Sequence, residues 1–213
     1  MGALLQPLRL QQLVLALHLL QPDAEFGPAM LMAALFTKLH KALVVGADQS
    51  VGASFPQVQE VEHMAAAKTS RTGEHPTYRL GLVLRLHGTT TALTSLMARD
   101  WLRGMRDHVQ CGTVQVVPAG HGYRTVNRVQ AKSNPERLRR RQMRRHGLTV
   151  EQAQARIPDS AAETLALPFL TLRSQSTGQT FRLFIRHGPI GTAPVHGTFG
   201  AYGLSPATTV PWF

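Results

Sequence analysis

The chain has 213 residues, 43% of them hydrophobic, with 23 Lys and Arg against 12 Asp and Glu and a net charge of +11. That length suits one large domain or two small ones with a real core, and a pI of about 11.2 points to a polyanionic partner, nucleic acid first and an anionic membrane surface second. The single cysteine, Cys111, excludes an intrachain disulfide and a Cys-based metal site and fits a reducing cytosol.

Residues 1–12 (MGALLQPLRLQQ) read as an N-terminal arm without an assigned role. Residues 13–20 are rich in Leu and Val and predict a buried strand that Pro22 and Asp23 end. The apolar stretch 12–20 is too short to span a bilayer. It lacks a basic leader and a cleavage site, so a cytoplasmic location is expected. Residues 28–45 have helical period, with Leu31, Leu35, Leu39 and Leu43 on one stripe and Gly46 closing the helix. VGASFP at 51–56 predicts a short strand, and 57–77 a polar loop containing Gly73 and Pro76. At 79–88, Leu80, Leu82, Leu84 and Leu86 alternate with polar or small residues, the pattern of a half-buried strand. A helix over 90–106 and a strand over 113–118 complete the order strand, helix, strand, strand, helix, strand. This βαββαβ order predicts an α+β protein whose N-terminal domain, residues 13–120, is ferredoxin-like.

After a boundary at 119–121 the character changes. Residues 122–132 predict a strand, 134–146 a basic helix and 150–156 a shorter helix. Pro158 and Pro168 bound a polar segment, and 169–176 with 181–187 predict a hairpin around Thr177-Gly178. Gly-rich and Thr-rich sequence then runs to Val210-Pro211-Trp212-Phe213. The second domain, 121–213, is expected to be α/β with an exposed Arg-rich helix.

The charge is concentrated. Residues 1–120 carry 10 basic and 8 acidic side chains, 121–156 carry 10 and 2, and 157–213 carry 3 and 2. One 36-residue stretch therefore holds a net of +8, a footprint and not a general solubility device. Its centre is NPERLRRRQMRRHG, Asn134 to Gly147. Ser133 and Glu136 have capping-box spacing, Pro135 suits the first turn and Gly147 the C-terminal cap. Arg137, Arg140, Arg141, Arg144 and Arg145 cover more than half the circumference, and only Leu138 and Met143 are apolar. Like charges three and four apart repel, so phosphates are the natural compensation. Arginine suits them because its planar fork bonds bidentately to phosphate and to guanine edges. A solvated basic face is the plain alternative. Membrane-surface binding needs a wider apolar face than this helix has. The charge does not separate DNA from RNA. A continuous RNA duplex has a major groove too deep and narrow for side chains, although the open end of a short stem would admit a helix.

RVQAKSNPERLRRRQMRRH (128–146), LPFLTLRSQSTGQTFRLFIRHGP (167–189) and YGLS (202–205), with EFGPAMLMAALFTKLHKALV (25–44) and VGASFP (51–56), resemble the CRISPR RNA-processing endoribonucleases of type I-F systems or a close relative from a neighbouring CRISPR type. The resemblance runs in order over roughly residues 13–213. It implies a ferredoxin-like domain followed by a domain carrying the Arg-rich helix. The activity it implies is metal-independent cleavage of a CRISPR repeat stem-loop at the 3′ base of the stem. The products would be a 2′,3′-cyclic phosphate and a 5′-hydroxyl, and the enzyme would keep its RNA and join other Cas subunits in a surveillance complex. No cofactor, metal or membrane is implied.

Residue by residue, the resemblance makes His40 the catalytic histidine. Ser174 becomes the residue that holds the ribose at the cut, with Ser176 beside it, and Tyr202 the tyrosine that positions the histidine. Arg128 and Gln130 match the pair that reads base edges at the lower stem. Arg141, Arg144 and Arg145 match groove-facing arginines, with Arg137, Arg140 and His146 as neighbours. Phe181 matches an aromatic that stacks on the base of the stem. Two departures, residues 1–12 and the altered stretch from about 57 to 78, bear on assembly and leave the matched motifs intact.

The chemistry fits these residue types. RNA supplies its own nucleophile, so a histidine with a pKa near ~6.5 can move the proton, a serine can fix the 2′-hydroxyl, and no metal is required. Taken without the resemblance, His40 is one of ten histidines and reads as an exposed residue off the Leu31–Leu43 stripe. Ser174 and Ser176 read as outward-facing strand residues, Phe181 as core and Tyr202 as a packing residue. The competing function is a non-catalytic RNA- or DNA-binding protein, supported by charge alone.

Overall fold

Side-chain alternation lays down the first sheet. In a computed structural model describing residues 12–20, 26–59, 80–131, 135–158, 165–174 and 177–213, strand β1 (Leu13–Leu19) buries Leu13, Leu15, Leu17 and Leu19 on one face. Helix α1 (Pro28–Gly46) lays its Leu31, Leu35, Leu39 and Leu43 stripe into the same core. Strands β2 (Gly52–Ser54) and β3 (Val83–Gly88), helix α2 (Thr90–Met97) and strand β4 (Val109–Cys111) follow. The first sheet has the order β2-β3-β1-β4, with every pair antiparallel. This order, with helices after β1 and β3, is consistent with the ferredoxin-like expectation.

The second half begins with β5 (Gln115–Val116), which also pairs with β1. It continues with β6 (Gly122–Val129), α3 (Pro135–His146), α4 (Val150–Arg156), β7 (Phe169–Arg173), β8 (Thr180–His187) and β9 (Ser205–Trp212). These strands form a second antiparallel sheet of order β7-β8-β6-β9. The described chain is thus α+β, with two antiparallel sheets and four helices. A single hydrophobic cluster joins Leu35, Phe36 and Leu39 to Leu170, Leu172, Leu183 and Ile185 of the second sheet. Helix α1 packs on both β1 and β7. It is long and apolar enough by composition to cross a membrane, and its buried stripe shows that the apolarity fills this core.

Four boundaries differ from the sequence reading, each for a local reason. Helix α2 stops at Met97, not 106, because Asp100 (φ 48°) and Gly104 (φ 75°) take left-handed conformations. The turns that follow still bury Trp101, Leu102 and Met105. Strand β3 starts at Val83 because Gly81 (φ 81°) turns the chain before it. Of the expected strand at 113–118 only the two residues of β5 form, and β4 is an unforeseen strand just before it. Gly112 lies between them and donates to the Ala16 carbonyl at 2.9 Å, and a Cβ there would approach that oxygen to 3.1 Å. Strand β9 was not foreseen, since Pro206 and Pro211 interrupt its Thr-rich sequence. It lies at a sheet edge, where missing N–H groups are tolerated. The expected Ser133–Glu136 capping pair lies outside the described residues. At the other end of α3, Gly147 (φ 61°) caps the helix as expected, donating to the Met143 carbonyl at 2.9 Å.

The face of the first sheet away from its helices carries His87, only 4% exposed. Its Nε2 is 2.7 Å from the Ser54 hydroxyl. Burial first, then the charges of Arg85 and His121, lower its pKa from 6.5 to about 3. The folded protein therefore keeps His87 neutral where the unfolded chain protonates it. Stability from this group is complete above about pH 6.5 and is lost progressively as pH falls from there towards 3. Melting temperature should fall steeply between pH 7 and pH 4.5. The double variant Ser54→Ala, His87→Leu removes both partners and should show a flatter fall; an equal slope in the two proteins would assign the acid loss elsewhere.

Candidate functional site

The helical repeat that buries Leu35 and Leu39 puts Phe36 and His40 one turn apart on the adjoining strip of α1. Against this strip lies Tyr202. Its ring is nearly parallel to both neighbours, 4.0 Å from His40 at 12° and 6.0 Å from Phe36 at 5°. His40 is half-buried, and its Nδ1 lies 2.8 Å from the Ala201 carbonyl oxygen. A carbonyl oxygen only accepts, so Nδ1 carries the hydrogen of this bond. In the neutral ring Nε2 then holds the lone pair, and His40 is set up as a proton acceptor in a fixed orientation.

A tight turn brings Ala201 and Tyr202 to α1. Gly203 has φ 70°, a value that favours glycine. It donates to the Gly200 carbonyl at 2.8 Å, and Gly200 donates to Leu204 at 2.9 Å. The Gly203 carbonyl accepts from Ala53 N–H of β2 at 2.7 Å. A Cβ on Gly203 would sit 3.1 Å from the Ala53 Cβ and 3.3 Å from its nitrogen. The glycine in YGLS is therefore what lets the turn press on β2 and hold the Tyr202 ring and the Ala201 carbonyl at His40.

Two more expected residues join this group. The Arg128 guanidinium, at the end of β6, lies 5.6 Å from the Tyr202 ring and 5.8 Å from the Phe181 ring, within reach of cation–π attraction. Phe181 is partly buried against the core. An exposed cation thus lies within reach of both the ring stacked on the histidine and a second aromatic ring.

Ser174 follows the last residue of β7, the strand on which α1 packs. Its Oγ accepts from Thr177 N–H at 3.3 Å. Gln130 is exposed just beyond β6. Ser176 lies outside the described residues, as does the side chain of Arg137. Arg140, Arg141, Arg144, Arg145 and His146 are all exposed on α3, and α3 packs on α4. One arginine of the run is structural: Arg139 Nε donates to the Ile157 carbonyl at 2.7 Å and ties the two helices together.

Sequence reasoning missed Phe36, Ala201 and Gly203. Phe36 was detectable, lying four residues before His40 on the same strip. Ala201 acts through its carbonyl, which no side chain announces. Among the described residues, no three His, Cys, Asp or Glu side chains come together in a group that could hold a metal ion.

Known proteins match this chain over nearly its whole length. A protein named CRISPR-associated endonuclease Cas6/Csy4 from Pseudomonas aeruginosa (strain UCBPP-PA14) is 55% identical over 194 residues, 91% of this chain and 96% of that protein. One of the same name from Escherichia coli (strain UTI89 / UPEC) is 44% identical over 192 residues, 90% of this chain and 95% of that protein. The model of the CRISPR-associated protein family Cas_Csy4 matches residues 17–213, and the chain belongs to that family.

Proposed function

We propose that this chain is a CRISPR RNA-processing endoribonuclease that binds a repeat stem-loop and cuts at the 3′ base of the stem without a metal. The observation that carries the reading is the His40 ring, bonded through Nδ1 to Ala201 and stacked on Tyr202 beside Arg128 and Phe181. The names of its relatives, CRISPR-associated endonucleases, support the cutting activity.

In this reading Nε2 of His40 takes the proton of the 2′-hydroxyl upstream of the cut. The 2′-oxygen attacks phosphorus in line, the bond to the 5′-oxygen breaks, and that oxygen takes a proton from solvent as it leaves while the imidazolium returns its own to solvent. The products are a 2′,3′-cyclic phosphate and a 5′-hydroxyl. Ser174 holds the ribose, with Ser176 next to it. Tyr202 sets the plane of the imidazole, which matters because in-line attack is sensitive to small displacements. Phe181 offers a face for the terminal base pair, and Arg128 and Gln130 read base edges there. The arginines of α3, with His146, enter at the open end of the stem and meet its phosphates. Residues 13–120 form a ferredoxin-like domain carrying His40, and 121–213 the RNA-binding domain. The enzyme works in the cytoplasm, keeps its product and joins other Cas subunits.

The test is cleavage of a CRISPR-repeat hairpin in EDTA, beside the same RNA with one 2′-deoxynucleotide just upstream of the cut. The first should be cut and the second only bound; binding of both without cleavage would instead support a passive RNA-binding protein. His40→Ala should slow cutting by about 10²- to 10⁴-fold, the usual contribution of a general base, with affinity for the hairpin unchanged. A His40→Ala protein that cuts at the wild-type rate removes the assignment.

Recognition and chemistry should separate on different residues. Arg141→Ala should weaken binding and lower the slope of log affinity against log salt by about 0.7–0.9. Ser174→Ala should slow the cut at saturating enzyme and leave that slope alone. Equal effects of the two on affinity would contradict this division.

A further inference from the structure

We propose that Arg173 is a positioning residue for Ser174, acting through the turn that joins β7 to β8; the inference rests on the reading of Ser174 as the residue that holds the ribose. Along β7, Leu170 and Leu172 are buried while Thr171 and Arg173 are exposed. Alternation therefore continues the α1-facing side at Ser174 and puts Arg173 on the opposite side of the strand, behind it.

From there the Arg173 side chain folds over the turn. Its Nε donates to the Gly178 carbonyl at 3.0 Å. That same peptide neighbourhood holds Ser174 from three directions. Gly178 N–H donates to the Ser174 carbonyl at 2.8 Å, and Ser174 N–H donates to the Gln179 carbonyl at 2.8 Å. Thr177 N–H donates to the Ser174 hydroxyl oxygen at 3.3 Å. Gly178 closes the loop with φ 68°, where a side chain is strained. The turn thus helps to place the Ser174 oxygen, and Arg173 is the long side chain that fastens the turn's far end to the strand. The bond is charge-assisted on the donor side. Its loss loosens the Gly178 end of the turn, and in-line chemistry is sensitive to small displacements of the groups that hold the ribose.

A surface arginine beside an RNA-cleaving site has an obvious other use, contact with a phosphate. The two roles give different signatures. A phosphate contact contributes to affinity and to the salt slope, and its contribution is independent of Ser174. A clamp on the turn contributes only while Ser174 is there to be placed.

The experiment measures single-turnover cleavage at saturating enzyme, and hairpin affinity with the 2′-deoxy RNA that cannot be cut. The proteins are wild type, Arg173→Ala, Arg173→Lys, Ser174→Ala and the double variant Arg173→Ala, Ser174→Ala. Arg173→Ala should cut about tenfold more slowly with unchanged affinity and salt slope. Arg173→Lys, which keeps a donor for Gly178, should recover most of the rate. Adding Arg173→Ala to Ser174→Ala should cost nothing more. A wild-type rate for Arg173→Ala, multiplicative losses in the double variant, or a weaker and less salt-sensitive affinity would each overturn the inference while leaving Ser174 in its role. A Ser174→Ala protein that cuts normally would overturn the reading of Ser174 itself, and the clamp with it.

Discussion

The burial of one face of α1 is the constraint on which the other features hang. Leu35 and Leu39 are completely buried, and α1 packs on β1 of one sheet and β7 of the other. Once that stripe is committed, the helix cannot rotate. The strip beside it, with Phe36 and His40, must then face the place where the chain returns at Tyr202. The histidine owes its orientation to a core that lies one residue away. It is finished by a single bond to Ala201 and a stacked ring. Both halves of the chain contribute: α1 brings the imidazole, and the turn before β9 brings its partners.

A second tie between the halves runs through the end of the chain. Arg85 of β3 lies 4.0 Å from the Phe213 ring and donates to the Phe213 carbonyl. Arg124 of β6 lies 4.5 Å from the Trp212 ring and donates to Gly188. Between these arginines and the buried Ser54–His87 pair, the side of the first sheet away from its helices is polar at its centre and closed by aromatic rings. Such an arrangement fixes β9 against both sheets, and β9 follows directly from the turn that carries Tyr202.

Much of this architecture was legible in the sequence because periodicity survives any context. The leucines at 31, 35, 39 and 43 read as one face of a helix, and the alternation at 80–86 read as a strand, of which Val83–Gly88 forms. The basic helix was readable from the glycine at its C-terminal end and from charge that no core could accept. Illegible parts were decided by backbone conformation. Asp100 belongs to a residue type that tolerates a left-handed conformation, but nothing around it says that it will take one, and Gly112 does not say that strand pairing will stop on either side of it. The two prolines of β9 argued against a strand because the edge position that permits them is a tertiary fact. For the site, the chemistry-bearing residues were supplied by the resemblance alone. Periodicity left His40 as a surface histidine, since the atoms that make it otherwise are the carbonyl of Ala201 and a ring 162 positions away in the chain.

Helix α3 carries its own tension. Its arginines stand at spacings where they repel one another, and Gly147, the helix pairing through Arg139 and the weakly stabilising cationic last turn offset this only in part. Mobile ions therefore act on this element in two opposing ways. Before RNA arrives, a screening atmosphere relieves the repulsion and helps the helix stay wound. In the proposed complex the same atmosphere competes with the phosphates. In that complex, the helix best formed at high ionic strength would be the one that grips least. At low ionic strength the polyanion of the proposed complex would itself serve as the helix's counterion, so that grip would also steady the winding.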